Sequence, residues 1–159
     1  MKTFLKFILG QKIINSINLL IFRADLNKLA QIYNTDKFGR HSYTSVYMEF
    51  FKKIRKNKLK IFEIGVGGYD SPSHGGASLK MWKKYFYKSH IYAIDIYDKS
   101  GLNEDRITIF KGSQINSPFL NDILENIGKF DIIIDDGSHI NEHVIFSFNF
   151  LFLTLVWIT

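Results

Sequence analysis

The chain has no cysteine among its 159 residues. Disulfides, thiolate metal sites and thiol nucleophiles are therefore excluded, and redox chemistry says nothing of the compartment. It also lacks a long apolar run. Residues 1–22 carry apolar side chains at positions 5, 8, 9, 13, 17, 20 and 21, but Gln11, Lys12, Asn15, Ser16 and Asn18 interrupt them. That pattern falls short of a secretory signal with its small-residue cleavage site and far short of a spanning helix. It reads as an amphipathic helix over residues 1–25 that packs on the domain or on a second subunit in preference to a membrane surface. No Gly-Lys-Ser/Thr is present, which removes a P-loop. The net charge of +6 comes with no recognition-helix, zinc-finger or RNP pattern, so nucleic acid is not an expected partner. Much of the charge sits in one block, Lys52, Lys53, Arg55, Lys56, Lys58 and Lys60, which reads as a solvated helix end.

What is present is enough apolar surface for one core, 46% of residues with 16% aromatic, and a regular alternation of short apolar runs with helical patterns. Helical spacing runs over residues 26–33 and 43–51, with a polar, Gly-containing loop at 34–42 between them. Strands are expected at residues 61–64, 91–95, 106–110 and 130–134, with helices at 77–87 and 119–127. This order calls for an α/β fold: a Rossmann-like parallel sheet of about four strands with helices on both faces and right-handed crossovers.

Three strand ends carry polar chemistry. KIFEIGVGGYD, residues 60–70, stops a buried strand at an acid and three glycines, which let the backbone turn and approach a ligand closely. A dinucleotide fingerprint would need glycine where Asp70 stands, although a nicotinamide-type Rossmann enzyme stays open as an alternative. The strand at 91–95 ends in Asp95, placed to accept hydrogen bonds from both ribose hydroxyls of a nucleoside. The strand at 130–134 runs into Asp135, Asp136, Gly137, Ser138 and His139. Asp there suits a hard divalent metal and His suits deprotonation of a hydroxyl, although a tight turn and a helix start would use the same residues. The adjacent carboxylates are expected to serve different ligands, and His143 reads as an ordinary helix residue.

The run from Glu63 to Gly68, E-x-G-x-G-G, resembles the first motif of the class I S-adenosylmethionine-dependent methyltransferases, whose cationic sulfonium cofactor suits Glu63. The strings N-T-D-K-F-G followed by H-x-Y-T-x-x-Y, G-A-S-L-K-M-W-K-K-Y-F, D-I-Y-D-K-S-G and D-D-G-S-H are similar to the macrolide-sugar O-methyltransferases of mycinamicin and macrocin biosynthesis, over residues 26–153. The resemblance implies S-adenosyl-L-methionine as cofactor, Mg2+ as metal and a sugar or other small-molecule acceptor. It puts Thr35, Tyr43, Thr44 and Ser78 on the cofactor side, with Glu63, Gly65, Val66, Gly67, Gly68 and Tyr69 around the turn. Asp95, Ser113, Gln114 and Asp135 complete the cofactor set; Asp136 becomes the metal ligand and His139 the general base. The family continues with further strands and carboxylate metal ligands where this sequence has LFLTLVWIT, residues 151–159. Residues 26–159 are accordingly expected to be the amino-terminal part of a methyltransferase domain, shortened, catalytically silent by itself and prone to self-association. A non-catalytic remnant or interaction module is the other alternative; a homo-oligomer and a cytoplasmic location are expected.

Overall fold

The computed structural model describes residues 17–39 and 41–152. Most of the expected amphipathic helix, residues 1–16, and the apolar stretch 153–159 lie outside them. The elements are α1 (Leu26–Tyr33), α2 (Tyr43–Phe51), β1 (Lys60–Ile64), α3 (Ala77–Tyr85), β2 (His90–Asp95), a short 3-10 turn (Ser100–Leu102), β3 (Ile107–Lys111), α4 (Ser117–Ile127), β4 (Ile132–Asp135) and α5 (Asn141–Phe152). All strand pairs are parallel, in the order β3-β2-β1-β4. The chain steps outward from β1 to β3 and then returns to the other side of β1. Between β1 and β4 the direction of winding reverses, and there the carboxyl ends of a parallel sheet leave a crevice.

Strand alternation divides the core in two. Ile61, Ile91, Ala93, Ile107, Ile109, Ile132 and Ile134 pack with α1 and α3. Phe62, Ile64, Ile94 and Phe130 pack with Leu120 and Ile123 of α4 and Leu151 of α5. Helices thus cover both faces. Tyr47 and Phe51 of α2 extend the first layer by edge contacts to Trp82, with ring centroids 5.4 and 6.2 Å away.

Several boundaries move from their sequence-based positions, each for a local reason. Helix α4 begins at Ser117 because the Asn116 side chain accepts the Phe119 N–H at 3.2 Å and Pro118 sits in the first turn. Helix α3 ends at Tyr85 because the Arg106 guanidinium takes up the carbonyls of Lys83, Phe86 and Ser89 at 3.3, 3.3 and 2.8 Å. Arg106 itself has φ +59° and stands outside β3. The basic block follows the end of α2 at Phe51, with Lys52, Lys53, Lys56 and Lys58 exposed, but Lys60 departs from it and opens β1 with its ammonium on the Ile127 carbonyl. Phe130 precedes β4 and stacks on Phe62 at 4.5 Å.

Among the described residues β4 is an edge of the sheet, and α5 beside it exposes Val144, Ile145, Phe148 and Phe152. Phe146 and Phe150 are half-buried and stack on each other at 5.9 Å. Among the described residues no helix is long and apolar enough to cross a membrane. The fully buried Phe62–Phe130 stack ties β1 to the return of the chain. Phe62→Ala should cost about 3–5 kcal/mol in urea unfolding, since the cavity it leaves lies between two layers that cannot collapse together.

Candidate functional site

The carboxyl ends of β1, β2 and β4 surround a cavity of about 620 Å3, within the range of about 300–1,000 Å3 usual for small-molecule sites. Its floor exists because backbones touch. A Cβ on Gly65 (φ +91°) would lie 2.2 Å from the Asp136 carbonyl oxygen, so only glycine lets the β1 turn meet the segment after β4. Gly67 (φ +75°) has the opposite surroundings: nothing lies within 4 Å of the position its Cβ would take. That open space belongs to the cavity, whose lining includes Gly67. Asp95 closes the next side. Its Oδ2 accepts the Val66 N–H and its Oδ1 the Tyr97 N–H, both at 2.9 Å, so the end of β2 holds the glycine turn while each oxygen keeps a further lone pair for a ligand.

The loop after α1 supplies Asn34, Thr35, Asp36 and Lys37 to the same cavity. Lys37 is only 3% exposed; its Nζ lies 3.1 Å from Glu63 Oε1 and donates to Asp136 Oδ2. Glu63 is fully buried, and its Oε2 accepts from Ser78 Oγ at 3.1 Å and Trp82 Nε1 at 3.0 Å. A second polar cluster fixes the far wall. Gln114 donates to Asp135 Oδ2 at 3.3 Å and to Ser147 Oγ at 3.3 Å, and its Oε1 accepts the Ser138 N–H at 3.1 Å. His139 stands at the mouth, 75% exposed, with φ +57° and Nε2 3.8 Å from Asp136 Oδ1. His143 is not idle: its Nδ1 shares a 2.9 Å hydrogen bond with Ser138 Oγ.

Of the sequence-predicted residues, Thr35, Gly65, Val66, Gly67, Gly68 and Tyr69 line the cavity. So do Ser78, Asp95, Gln114, Asp136 and His139. Five do not. Glu63 shares its strand parity with Ile61 and so points at α3, where Ser78 and Trp82 bond one oxygen, while Lys37 from the loop after α1 pairs with the other. Tyr43 turns outward and stacks on His41 at 5.1 Å. Thr44 is fully buried and donates to Asn27 Oδ1 at 2.6 Å. Ser113 accepts the Ile115 N–H at 3.4 Å in its own turn. Asp135 bonds Gln114, Ser147 and the Gly137 N–H, whereas its neighbour Asp136 meets Lys37.

No protein-family model matches the chain. It is 47% identical over 131 residues to demethylmacrocin O-methyltransferase of Streptomyces fradiae and, over the same number, to mycinamicin VI 2''-O-methyltransferase of Micromonospora griseorubida. Each alignment covers 82% of this chain and 33% of the relative. The solved structure of MycE methyltransferase from the mycinamycin biosynthetic pathway, in complex with Mg and SAH, superposes with a TM-score of 0.80 at 47% identity, over 83% of this chain and 34% of that one. The chain is similar to these O-methyltransferases over most of its own length. It spans about a third of the length of the curated relatives it matches, and its four-stranded parallel sheet has the Rossmann-like methyltransferase architecture.

Against that relationship, Lys37 is the site residue that sequence reasoning missed. A signal existed: an acid inside an otherwise apolar buried strand requires a partner, and a lysine in the polar loop at 34–42 could have been paired with it. Ser147 was hidden for a different reason, since a serine within an aromatic helix carries no periodic signature of its partner. For magnesium the described residues do not suffice. Among them no three His, Asp or Glu side chains converge, and Lys37 already occupies one oxygen of Asp136. Magnesium gives up its water only to several anionic oxygens.

Burial alone would push the Lys37 ammonium down in pKa, but Glu63 and Asp136 more than reverse this and leave it above its ordinary 10.5. The stabilisation from Lys37 is therefore fully present below pH 10.5 and lost only as pH rises through its higher folded value. Amine acylation at about pH 9 should label exposed Lys80 and leave Lys37 unlabelled in peptide mass spectra, because an ammonium that is both buried and protonated is no nucleophile. Labelling of Lys37 at the rate of Lys80 would mean that the ion pair is open in solution.

Proposed function

We propose that these residues form the S-adenosylmethionine-binding part of a sugar O-methyltransferase. The observation that carries the reading is the union, in one cavity at the winding switch, of the glycine turn after β1 and the Asp95 carboxylate that braces it. A nucleoside fits that arrangement. Asp95 would accept the ribose hydroxyls, the open face of Gly67 would admit the ligand against backbone, and Gln114, held by Asp135, Ser147 and the Ser138 N–H, would close the cavity beyond the end of β3. Glu63 acts from behind: the buried acid orients Ser78, which lines the cavity, and Lys37.

When bound, S-adenosylmethionine supplies a methyl group on a sulfonium, already a good leaving group. What the chain must add is an activated hydroxyl in the right place. His139, exposed at the mouth with Asp136 beside its Nε2, is the group that would take the proton from the acceptor. The acceptor proposed is a sugar hydroxyl on a small glycosylated molecule; the name of one similar protein, 8-demethyl-8-alpha-L-rhamnosyl tetracenomycin-C 2'-O-methyltransferase of Streptomyces olivaceus, carries such a rhamnosyl group. Asp70 in place of a third fingerprint glycine weighs against a nicotinamide cofactor.

Thermal unfolding with added ligand separates the two cofactors: S-adenosylhomocysteine should raise Tm and NAD should not. Gly67→Val puts a branched side chain into the cavity and should abolish S-adenosylhomocysteine binding in calorimetric titration. Asp95→Asn should weaken it by about 1.5–3 kcal/mol, the worth of a charged hydrogen-bond pair. Wild-type affinity in both variants would overturn the cofactor assignment. In a chain extended with the carboxyl-terminal part of a close relative, His139→Ala should lower methyl transfer from labelled S-adenosylmethionine at least about a hundredfold, with cofactor affinity unchanged; undiminished transfer would remove His139 as the base.

A further inference from the structure

The loop at 34–39 forms part of the cavity wall, yet its hydrogen bonds stay local. The Thr35 N–H reaches the Ala30 carbonyl at 3.0 Å, the Lys37 N–H the Thr35 hydroxyl at 3.5 Å, and the Lys37 carbonyl the Thr44 N–H at 3.3 Å. Among the described residues, the polar links from this loop to the sheet all run through one atom, Lys37 Nζ. That atom sits where two carboxylates converge, Glu63 of β1 and Asp136 just past the end of β4. Glu63 Oε1 has no aligned hydrogen bond and only this ion pair, and Asp136 presents Oδ2 to the ammonium while Oδ1 faces His139.

We propose that Lys37 is a positioning residue: its ammonium is a tethered cation seated between Glu63 and Asp136, and it pins the loop at 34–39 over the cavity while aiming Asp136 at His139. The proposal rests on the cofactor reading for its ligand readout alone. The geometry favours a cation seat over simple packing. Apolar packing of the loop is already provided by Phe38, which lies against the core, whereas two carboxylates facing one buried point are stable only with positive charge between them. Loss of that charge would release the loop, and a cavity whose wall is only partly in place binds its ligand in proportion to the closed fraction.

Calorimetric titration with S-adenosylhomocysteine and thermal unfolding of the 159-residue chain test this. Lys37→Met keeps the length and removes the charge, and should weaken S-adenosylhomocysteine by at least about tenfold; Lys37→Arg, which keeps the charge, should retain most of the affinity. Lys37→Ala vacates the seat. Millimolar ethylammonium or Mn2+ should then restore its Tm and affinity, but should restore neither when Asp136→Asn is added. Should Lys37→Met fail to fold, the neutral pair Lys37→Met with Glu63→Gln relieves the unpaired acid and should fold while binding weakly. Wild-type affinity in that neutral pair, or cation rescue that is equal with and without Asp136→Asn, overturns the proposal. If the unaltered chain binds no S-adenosylhomocysteine, the cofactor reading falls, and the cation rescue of Tm in Lys37→Ala still decides whether Lys37 occupies this seat.

Discussion

A carboxylate buried in the middle of a parallel sheet has to be answered by charge. Glu63 is on the central strand, fully enclosed, and an uncompensated ion there would cost several kcal/mol. Ser78 and Trp82 answer one oxygen with neutral donors and Lys37 answers the other with an ammonium. Because Lys37 arrives on the loop after α1 and Asp136 at the end of the neighbouring strand β4, the ammonium that answers this acid brings three sequence-distant pieces of chain together. The cavity is largely the space they leave.

The remaining walls follow from close backbone approach. The turn at 65–68 lies against the segment after β4 on one side and against the loop at 74–76 on the other, with carbonyl oxygens about where side chains would otherwise be. Such contacts are rigid, and they explain why the polar groups of the site can be few. Asp95 spends both oxygens on loop amides and is thereby held in place for a ligand. Gln114 does the same at the opposite end, joining β3 to Asp135, Ser147 and the Ser138 amide.

The similarity to these O-methyltransferases and the cavity point the same way, but they support different statements. Identity of 47% over 82% of the chain accounts for the sheet order and the glycine turn. The disposition of Lys37, Glu63 and Asp136 is a property of these side chains, and it makes the carboxylate most readily assigned to a cation already partnered within the chain.

Periodicity along the chain was enough to establish the alternation of strands and helices, the parallel sheet with two covered faces, and the acids and glycines at the strand ends, because each depends on spacings of two to four residues. It also separated Asp135 from Asp136, since neighbours on a strand must diverge. Element ends were less legible: the Arg106 guanidinium stops α3 from twenty residues or so away, and no local pattern encodes that. The direction in which Glu63 is satisfied, the pairing of Lys37 with two acids, and the outward turn of Tyr43 were set only on folding. They depend on which loop lies over which strand end, and a buried charge selects its partner by proximity in space across residues 37, 63 and 136 that the linear order keeps far apart.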